Sequence, residues 1–99
     1  MNFKLHKNEN ETILEIDGTL DAVTAPELRT VVDDLVNSNT MAVTLELSAL
    51  RLIDSSGVGV IVSLFKRIKS NGGQVKIVGL RDQPRAIFRL LRLDRVFTV

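Results

Sequence analysis

The alternation of apolar and polar residues predicts four β-strands along the 99-residue chain. Residues 3–6 and 12–16 alternate with a period of two on either side of a polar break, which is typical of a β-hairpin. A turn at residues 17–18 is expected to end the second strand. Further strands are predicted at residues 41–47, where one face is apolar, and at residues 75–80.

Three amphipathic helices are predicted in addition, each with apolar residues at spacings of three and four. In the first helix, Thr24 and Glu27 have the spacing of a capping box. The second helix begins near Gly57 and ends at the stop signal of residues 71–73, Asn-Gly-Gly. The apolar stripes comprise Leu28, Val31, Val32 and Leu35 in the first helix, and Ile61, Leu64, Phe65 and Ile68 in the second.

Asp82 is expected to cap the third helix, over residues 83–91. Its buried face is predicted to comprise Ile87, Leu90 and Leu91, with Phe88 at the edge. One side carries an arginine stripe, formed by Arg81, Arg85, Arg89 and Arg92. The stripe fits a solvated face whose long stems cover apolar surface, and it also fits a docking surface for an acidic partner. Residues 96–99 would form a terminal strand or simply pack.

The order β-β-α-β-α-β-α predicts an α/β sandwich, in which helices pack on a small mixed sheet. The hairpin supplies antiparallel pairing. The strand at 41–47, the second helix and the strand at 75–80 form a right-handed βαβ unit with parallel strands. The length fits one domain, residues 1–99.

The stretch over residues 52–62, LIDSSGVGVIV, is where chemistry is expected. Asp54, Ser55 and Ser56 precede the second helix and supply side-chain oxygens that can cap its first turn. The turn lies near the carboxyl end of a strand, where sites in parallel sheets are favoured.

Ser56 projects away from the apolar stripe of the second helix, on the side shared by Gly59, Ser63 and Arg67. Its hydroxyl is therefore expected to be exposed. Gly57 and Gly59 each weaken the helix by roughly 0.5–1 kcal/mol relative to alanine. Close approach of another backbone explains these glycines, and tight packing against the chain's own sheet explains them equally well.

Composition narrows the classes of function. A net charge of +1, with 44% hydrophobic and 25% charged residues, is ordinary for a soluble globular chain and calls for neither nucleic acid nor a membrane surface. The absence of cysteine excludes disulfides and thiolate chemistry. His6, the single histidine, is expected on a strand surface rather than in a Ser-His-Asp triad. No signal peptide or run of about 18 apolar residues is present, so we expect a cytoplasmic protein.

No catalytic constellation accompanies residues 54–57. Ser56 lacks the glycine that a nucleophile elbow places two residues earlier. Gly57 and Gly59 lack the remaining residues of a dinucleotide-binding or phosphate-binding loop. The carboxylates lack the spacing of metal ligands. We therefore expect no enzyme, no metal and no cofactor.

A hydroxyl at a helix N-terminus is well placed to receive a phosphoryl group. The helix dipole and free N–H groups would stabilise the added charge by about 0.3–1 kcal/mol. Burial of that charge without a partner in an interface would cost about 2–5 kcal/mol. Modification of that serine hydroxyl would thus act as a switch on binding.

The sequence resembles the STAS-domain anti-sigma factor antagonists of bacteria over essentially its whole length. The motifs, in order, are GTLDAVTAPELR at 18–29, DSSG at 54–57, NGG with the following strand at 71–78, and LDRVF at 93–97. Arg92 is a departure, because relatives often have glycine there, and it puts the end of the third helix in question.

The resemblance implies a protein that binds an anti-sigma factor, itself a serine kinase, and so frees a sigma factor for transcription. Phosphorylation of Ser56 would break the complex, and a PP2C-type phosphatase would restore it. The resemblance implies no cofactor and no direct contact of this protein with nucleic acid or membrane. Asp21 would contact the partner beside Ser56, Asp54 and Ser55 would shape the turn, and the glycines would admit the partner. The candidate partner-binding residues are Asp21, Thr24, Asp54, Ser55, Gly57, Gly59 and Ser63.

Several alternatives stay open. Asp21 fits a turn-forming residue as well as a partner contact, and the preference for Ser56 over Ser55 rests on the family pattern. A STAS module without a kinase could instead be a structural or ligand-sensing subunit of a larger assembly, such as a lipid transporter. Ser56→Asp separates the two, since only the switch predicts lost binding with the fold intact. Weak nucleic-acid binding through the arginine stripe would show as affinity that falls steeply with salt.

Overall fold

The structure is a computed structural model that describes residues 2–96. The strands are β1 (Asn2–Lys7), β2 (Thr12–Leu20), β3 (Ala42–Glu46), β4 (Leu50–Ile53) and β5 (Gln74–Val78). The α-helices are α1 (Ala25–Asn37), α2 (Ser55–Ser70) and α3 (Asp82–Leu90), and a 3₁₀ turn follows at Leu93–Arg95. The predicted α/β class is confirmed, with one strand, β4, that the predicted order lacked.

The sheet has the order β1-β2-β3-β5, and β4 pairs with the end of β2. β1 and β2 form the predicted antiparallel hairpin, with His6 exposed and opposite Ile13. β3 and β5 lie parallel, as the βαβ unit requires. Both the hairpin and the parallel crossover were therefore predicted correctly.

The end of β2 was predicted wrongly, because the strand continues past residues 17–18 to Leu20. Its first half pairs with β3 and its last three residues pair with β4, and a register irregularity lies at Gly18. Gly18 has φ 103, a conformation that glycine adopts without strain. The change of neighbour explains why the strand does not stop at this turn-like pair.

The core lies between the sheet and helices α1 and α2. The predicted stripes are confirmed: Leu28, Val32 and Leu35 of α1, and Ile61, Leu64 and Ile68 of α2, are buried. An ion pair between Arg67 and Asp33, 2.6 Å apart, joins the two helices at the surface. α2 ends as predicted, with Asn71 as C-cap and Gly72 at φ 86, the left-handed region that glycine favours.

The start of α1 differs from the predicted capping box. Thr24 has helical dihedral angles, and its side chain makes no capping hydrogen bond. The hydroxyl instead donates to the carbonyl oxygen of Thr19 (2.8 Å) and accepts from the N–H of Asp21 (2.9 Å). Thr24 is thus committed to the preceding turn and not to the helix.

The buried face of α3 was predicted correctly for Ile87, which is half-buried against the core, and wrongly for Leu90 and Leu91. Phe88 is fully buried and Pro84 is buried, whereas Leu90 and Leu91 are 76% and 51% exposed. Pro84 and Phe88 are four residues apart and so share one face of the helix, while Leu90 lies on a different side. Asp82 does not cap the helix: Arg81 is the N-cap, and Asp82 has φ 54.

The arginine stripe is broken at its end. Arg85 and Arg89 are exposed on α3, but Arg92 lies beyond the C-cap Leu91 with φ 60, a left-handed position. This is the position where relatives were expected to have glycine. Val96 is exposed after the 3₁₀ turn and forms no strand, while Phe97 and Val99 lie outside the described residues.

Candidate functional site

Two polar turns lie side by side at the carboxyl ends of neighbouring parallel strands. Leu20, the last residue of β2, is in register with Ile53, the last residue of β4. The N–H of Asp54 donates to the carbonyl oxygen of Leu20 (3.1 Å). The turn over residues 21–24, here called the Asp21 turn, is thereby fixed beside residues 54–57, here called the Asp54 turn.

The Asp21 turn is built on a single carboxylate oxygen. Oδ1 of Asp21 accepts hydrogen bonds from the N–H groups of Val23 (2.9 Å) and Thr24 (3.1 Å). The Thr24 N–H does most to lower the pKa of Asp21 below its usual value, helped by the Val23 N–H and the Thr24 hydroxyl and opposed by desolvation. The interpretation of Asp21 as a turn-forming residue is confirmed, and its side chain is a carboxylate at neutral pH.

In the Asp54 turn, Asp54 is the N-cap of α2. Its Oδ1 accepts from the N–H of Ser56 (2.8 Å) and from the N–H of Gly57 (3.3 Å). The helix begins at Ser55, two residues before the predicted start. The N–H groups that were expected to be free for a phosphate are therefore partly occupied, because the Asp54 carboxylate already binds two of them.

The two serines differ in exposure. Ser55 is exposed, whereas Ser56 is half-buried and so less open than predicted. Ser56 lies one helical turn ahead of Val60, whose side chain is buried, and this position explains the difference. Within residues 2–96 neither serine hydroxyl forms a hydrogen bond to another protein group.

The two glycines of α2 serve different purposes. A Cβ at Gly57 would lie 2.5 Å from Leu20 Cγ and 2.9 Å from Ile53 Cγ1, so this residue is small in order to pack on the chain's own sheet. Gly57 is buried, so tight packing against the chain's own sheet, the alternative left open by the sequence, explains this glycine, and its role in admitting a partner stays a prediction. Gly59 is exposed and a Cβ there would meet nothing within 4 Å, so packing does not explain it.

The exposed rim of the two turns continues along α2. Ser63 is half-buried one turn beyond Gly59, and Arg67 follows in its ion pair with Asp33. On the Asp21 turn, Val23 is 83% exposed. Sequence analysis had not singled out Val23, which lies between the turn-forming residues Asp21 and Thr24.

One contact to the Asp54 turn had no signal in the sequence. The side-chain amide of Gln83 accepts a hydrogen bond from the Ile53 N–H and donates one to the Ile53 carbonyl oxygen, each 2.9 Å long. The two residues are 30 positions apart, so no local pattern predicts the pair.

Other sites are limited. Among the described residues, no group of three His, Cys, Asp or Glu side chains could hold a metal ion, and no helix is long and apolar enough to span a bilayer. A cavity of about 570 Å³ lies between β5 and α3, lined by Ile77, Gly79, Phe88 and Arg89 among others. None of the candidate site residues lines this cavity.

Comparison with known proteins identifies the family. The model of the STAS domain matches residues 2–99. The chain belongs to the STAS domain family. This STAS domain is 28% identical to the anti-sigma-B factor antagonist of Bacillus subtilis over 99 residues, which cover all of the chain and 90% of that relative. The resemblance to anti-sigma factor antagonists drawn from the sequence is confirmed.

Solved structures have the same fold. The crystal structure of an anti-sigma factor antagonist from Mycobacterium paratuberculosis has a TM-score of 0.87 and 22% identity, over 97% of this chain and 81% of that one. The Bacillus cell fate determinant SpoIIAA, in its phosphorylated form, has a TM-score of 0.79 and 18% identity, over 95% and 86% of the two chains. At these identities the likeness establishes the fold of this STAS domain.

Proposed function

We propose that this STAS domain is an anti-sigma factor antagonist whose binding is controlled by phosphorylation of Ser56. The unmodified protein binds an anti-sigma factor that is also a serine kinase, and so frees a sigma factor for transcription. Phosphorylation by that kinase ends the complex, and a PP2C-type phosphatase resets it. The protein is then a binding module and not an enzyme, and it works in the cytoplasm, where transcription takes place.

The observation that carries this proposal is the adjacency of the two turns. A carboxylate-centred turn and a helix N-terminus with two unbonded hydroxyl groups lie next to each other, joined by the hydrogen bond from Asp54 to Leu20. They form one polar surface bordered by the exposed Val23 and Gly59. A partner that covers this surface must cover Ser56.

The energetics favour release on modification. A phosphoserine carries a charge of about −1.5 to −2, and here it would stand beside the carboxylate of Asp54, which caps the same turn. A charge buried without a partner costs about 2–5 kcal/mol in an interface, which is roughly a 30-fold to several-thousand-fold loss of affinity. The partner would therefore dissociate, while the exposed phosphate remains in water on the free protein.

The contact surface in this proposal comprises Asp21, Thr24, Asp54, Ser55, Gly59 and Ser63. Asp21 and Thr24 act mainly by holding the Asp21 turn, so that Val23 is presented to the partner. Gly59 admits close approach, because the surface above it is open. Relatives support the assignment: one is named an anti-sigma-B factor antagonist, and SpoIIAA exists in a phosphorylated form.

The test is a phosphorylation assay with a mapped product. The protein is incubated with ATP and, in turn, with each anti-sigma factor serine kinase encoded in the same genome, and the modified residue is located by mass spectrometry. We expect one phosphate on Ser56, its loss in Ser56→Ala and its persistence in Ser55→Ala. Modification of Ser55 alone, or of neither serine by any of these kinases, would contradict the proposal.

A further inference from the structure

β4 is paired with a strand on one side only. It is hydrogen-bonded to β2, and no second strand joins it among the described residues. On its other side, the side chain of Gln83 from α3 binds both the N–H and the carbonyl oxygen of Ile53 at 2.9 Å. This pair of bonds reproduces the exchange that a neighbouring residue makes in a hydrogen-bonded pair of an antiparallel ladder.

The bond pattern alternates along the chain at this point. Ile53 directs its N–H and carbonyl oxygen towards α3, and the next residue, Asp54, directs its N–H towards Leu20 of β2. Asp54 then caps the helix through Ser56 and Gly57. The Asp54 turn is thus anchored from the sheet on one side and from Gln83 on the other.

We propose that Gln83 is a positioning residue that holds the Asp54 turn in the shape in which Ser56 is presented. The presentation of Ser56 to a kinase rests on the proposed function, whereas the anchoring of the turn by Gln83 does not. Without Gln83, Ile53, the last residue of β4, has an unpaired N–H and an unpaired carbonyl oxygen on the outer edge of the strand. Local opening of the strand end then moves the N-cap, and with it the serine.

A glutamine is suited to this role by its chemistry. The amide has a donor and an acceptor a fixed distance apart, and both bind the backbone of one residue, Ile53. Leucine has a similar size and neither function. Glutamate keeps the acceptor but, when ionised, lacks the donor and meets the Ile53 carbonyl oxygen with a negative charge.

The first experiment measures amide hydrogen exchange by NMR in the isolated protein. In Gln83→Leu, we expect the amides of Asp54, Ser56 and Gly57 to exchange about tenfold faster or more, as the loss of two hydrogen bonds predicts. Amides in the centre of β3 and β5 should keep their rates. The matched control is Gln74→Leu, which removes an exposed glutamine from β5 and should leave the Asp54 turn unchanged.

Gln83→Glu gives an intermediate test in case Gln83→Leu does not fold. At neutral pH it should exchange faster than the native protein at the same three amides. Below the pKa of the new carboxyl group the protonated acid regains a donor, and the difference should shrink. Exchange at the Asp54 turn that is unchanged in both variants, or acceleration spread evenly over the molecule, would overturn the inference.

The second experiment links the anchor to the proposed switch. With a kinase that phosphorylates the native protein, Gln83→Leu should leave kcat unchanged and raise KM by the factor 1/f, where f is the fraction of molecules with a formed turn, because only that fraction can bind. The exchange rates give f, and a KM that departs from this factor would contradict the role of Gln83 in presenting Ser56. If no kinase modifies the native protein, the proposed function fails, and the exchange rates still decide whether Gln83 anchors the turn.

Discussion

Gly57 and Gly59 stand two residues apart in α2 and face different surroundings. Gly57 faces the side chains of Leu20 and Ile53 inside the core, whereas Gly59 faces open space. From the sequence alone the two glycines are equivalent, since each weakens the helix for the same entropic reason. The difference between them lies entirely in what a first side-chain carbon would touch.

Alanine at each glycine should therefore change stability in opposite directions. Gly57→Ala forces Leu20 and Ile53 to move in a packed core and should lower the free energy of unfolding by about 1–3 kcal/mol. Gly59→Ala should raise it by about 0.5–1 kcal/mol through helix propensity. Urea unfolding of the two variants measures both values, and a destabilised Gly59→Ala would show that its environment is not open.

Arg92 is a second residue whose effect is set by backbone conformation. It has φ 60 and ψ 26 just past the end of α3, where a side chain is strained and glycine is not. Arg92→Gly should raise the free energy of unfolding by about 0.5–1 kcal/mol, after the entropy that glycine adds to the unfolded chain is subtracted. Arg89→Gly, inside the helix, is the control and should lower it.

At the scale of whole elements, local patterns predicted some features and long-range contacts decided the others. The stripes of α1 and α2, the Asp54 cap and the stop after Ser70 depend on neighbouring residues, and these predictions were correct. β4 has only four residues and no alternation in burial, so no pattern revealed it. The same holds for Gln83, whose role depends on a strand 30 positions away.

α3 shows how a helix can be predicted with the wrong face inward. Several of its positions are apolar, so more than one stripe fits, and the packing against β4 selects the one that contains Pro84 and Phe88. Leu90, which sequence analysis placed in the core, is mostly exposed. The choice between these faces rests on tertiary contacts that a single sequence does not display.

Truncation of α3 side chains tests that choice. Phe88→Ala should destabilise the protein by about 3–5 kcal/mol, because it empties a fully buried site. Leu90→Ala should change the free energy of unfolding by less than about 0.5 kcal/mol, as at other exposed positions. Chemical denaturation of both variants distinguishes the two faces, and the reverse order of effects would mean that the helix is rotated.

At the scale of the whole molecule, the fold brings together two turns that are 33 positions apart, at Asp21 and Asp54. Neither turn by itself indicates a function, since each contains ordinary capping and turn-forming residues. The parallel pairing of β2 with β4 makes them one surface. The family resemblance placed Asp21 beside Ser56, but the residues alone did not, because the strand that makes the two turns adjacent was not predicted.

An acidic substitution tests the switch on this surface. Ser56→Asp should keep the fold, with a change in unfolding free energy below about 1 kcal/mol, because a favourable helix dipole and repulsion from Asp54 oppose each other. Its affinity for the anti-sigma factor kinase identified by phosphorylation should fall at least about 30-fold. Calorimetric titration measures the affinity, with Ser56→Ala as the control that still binds.

Retained binding by Ser56→Asp would favour a scaffold role for this STAS domain over a switch. If Ser56→Asp does not fold, its loss of binding says nothing about the switch, and Ser56→Ala and Ser55→Asp are compared instead. Ser55→Asp adds the same charge one residue earlier, at an exposed position, and should weaken binding less than Ser56→Asp does.

The hydrogen bond from Asp54 to Leu20 has a consequence for how a modifying enzyme selects its target. Under the proposed function, Ser56 is presented on a surface that forms only when distant parts of the polypeptide have met, so a synthetic peptide of residues 50–60 should be a poor substrate. Newly made, unfinished or misfolded copies would escape modification for the same reason. Phosphorylation would then be confined to fully synthesised, folded molecules.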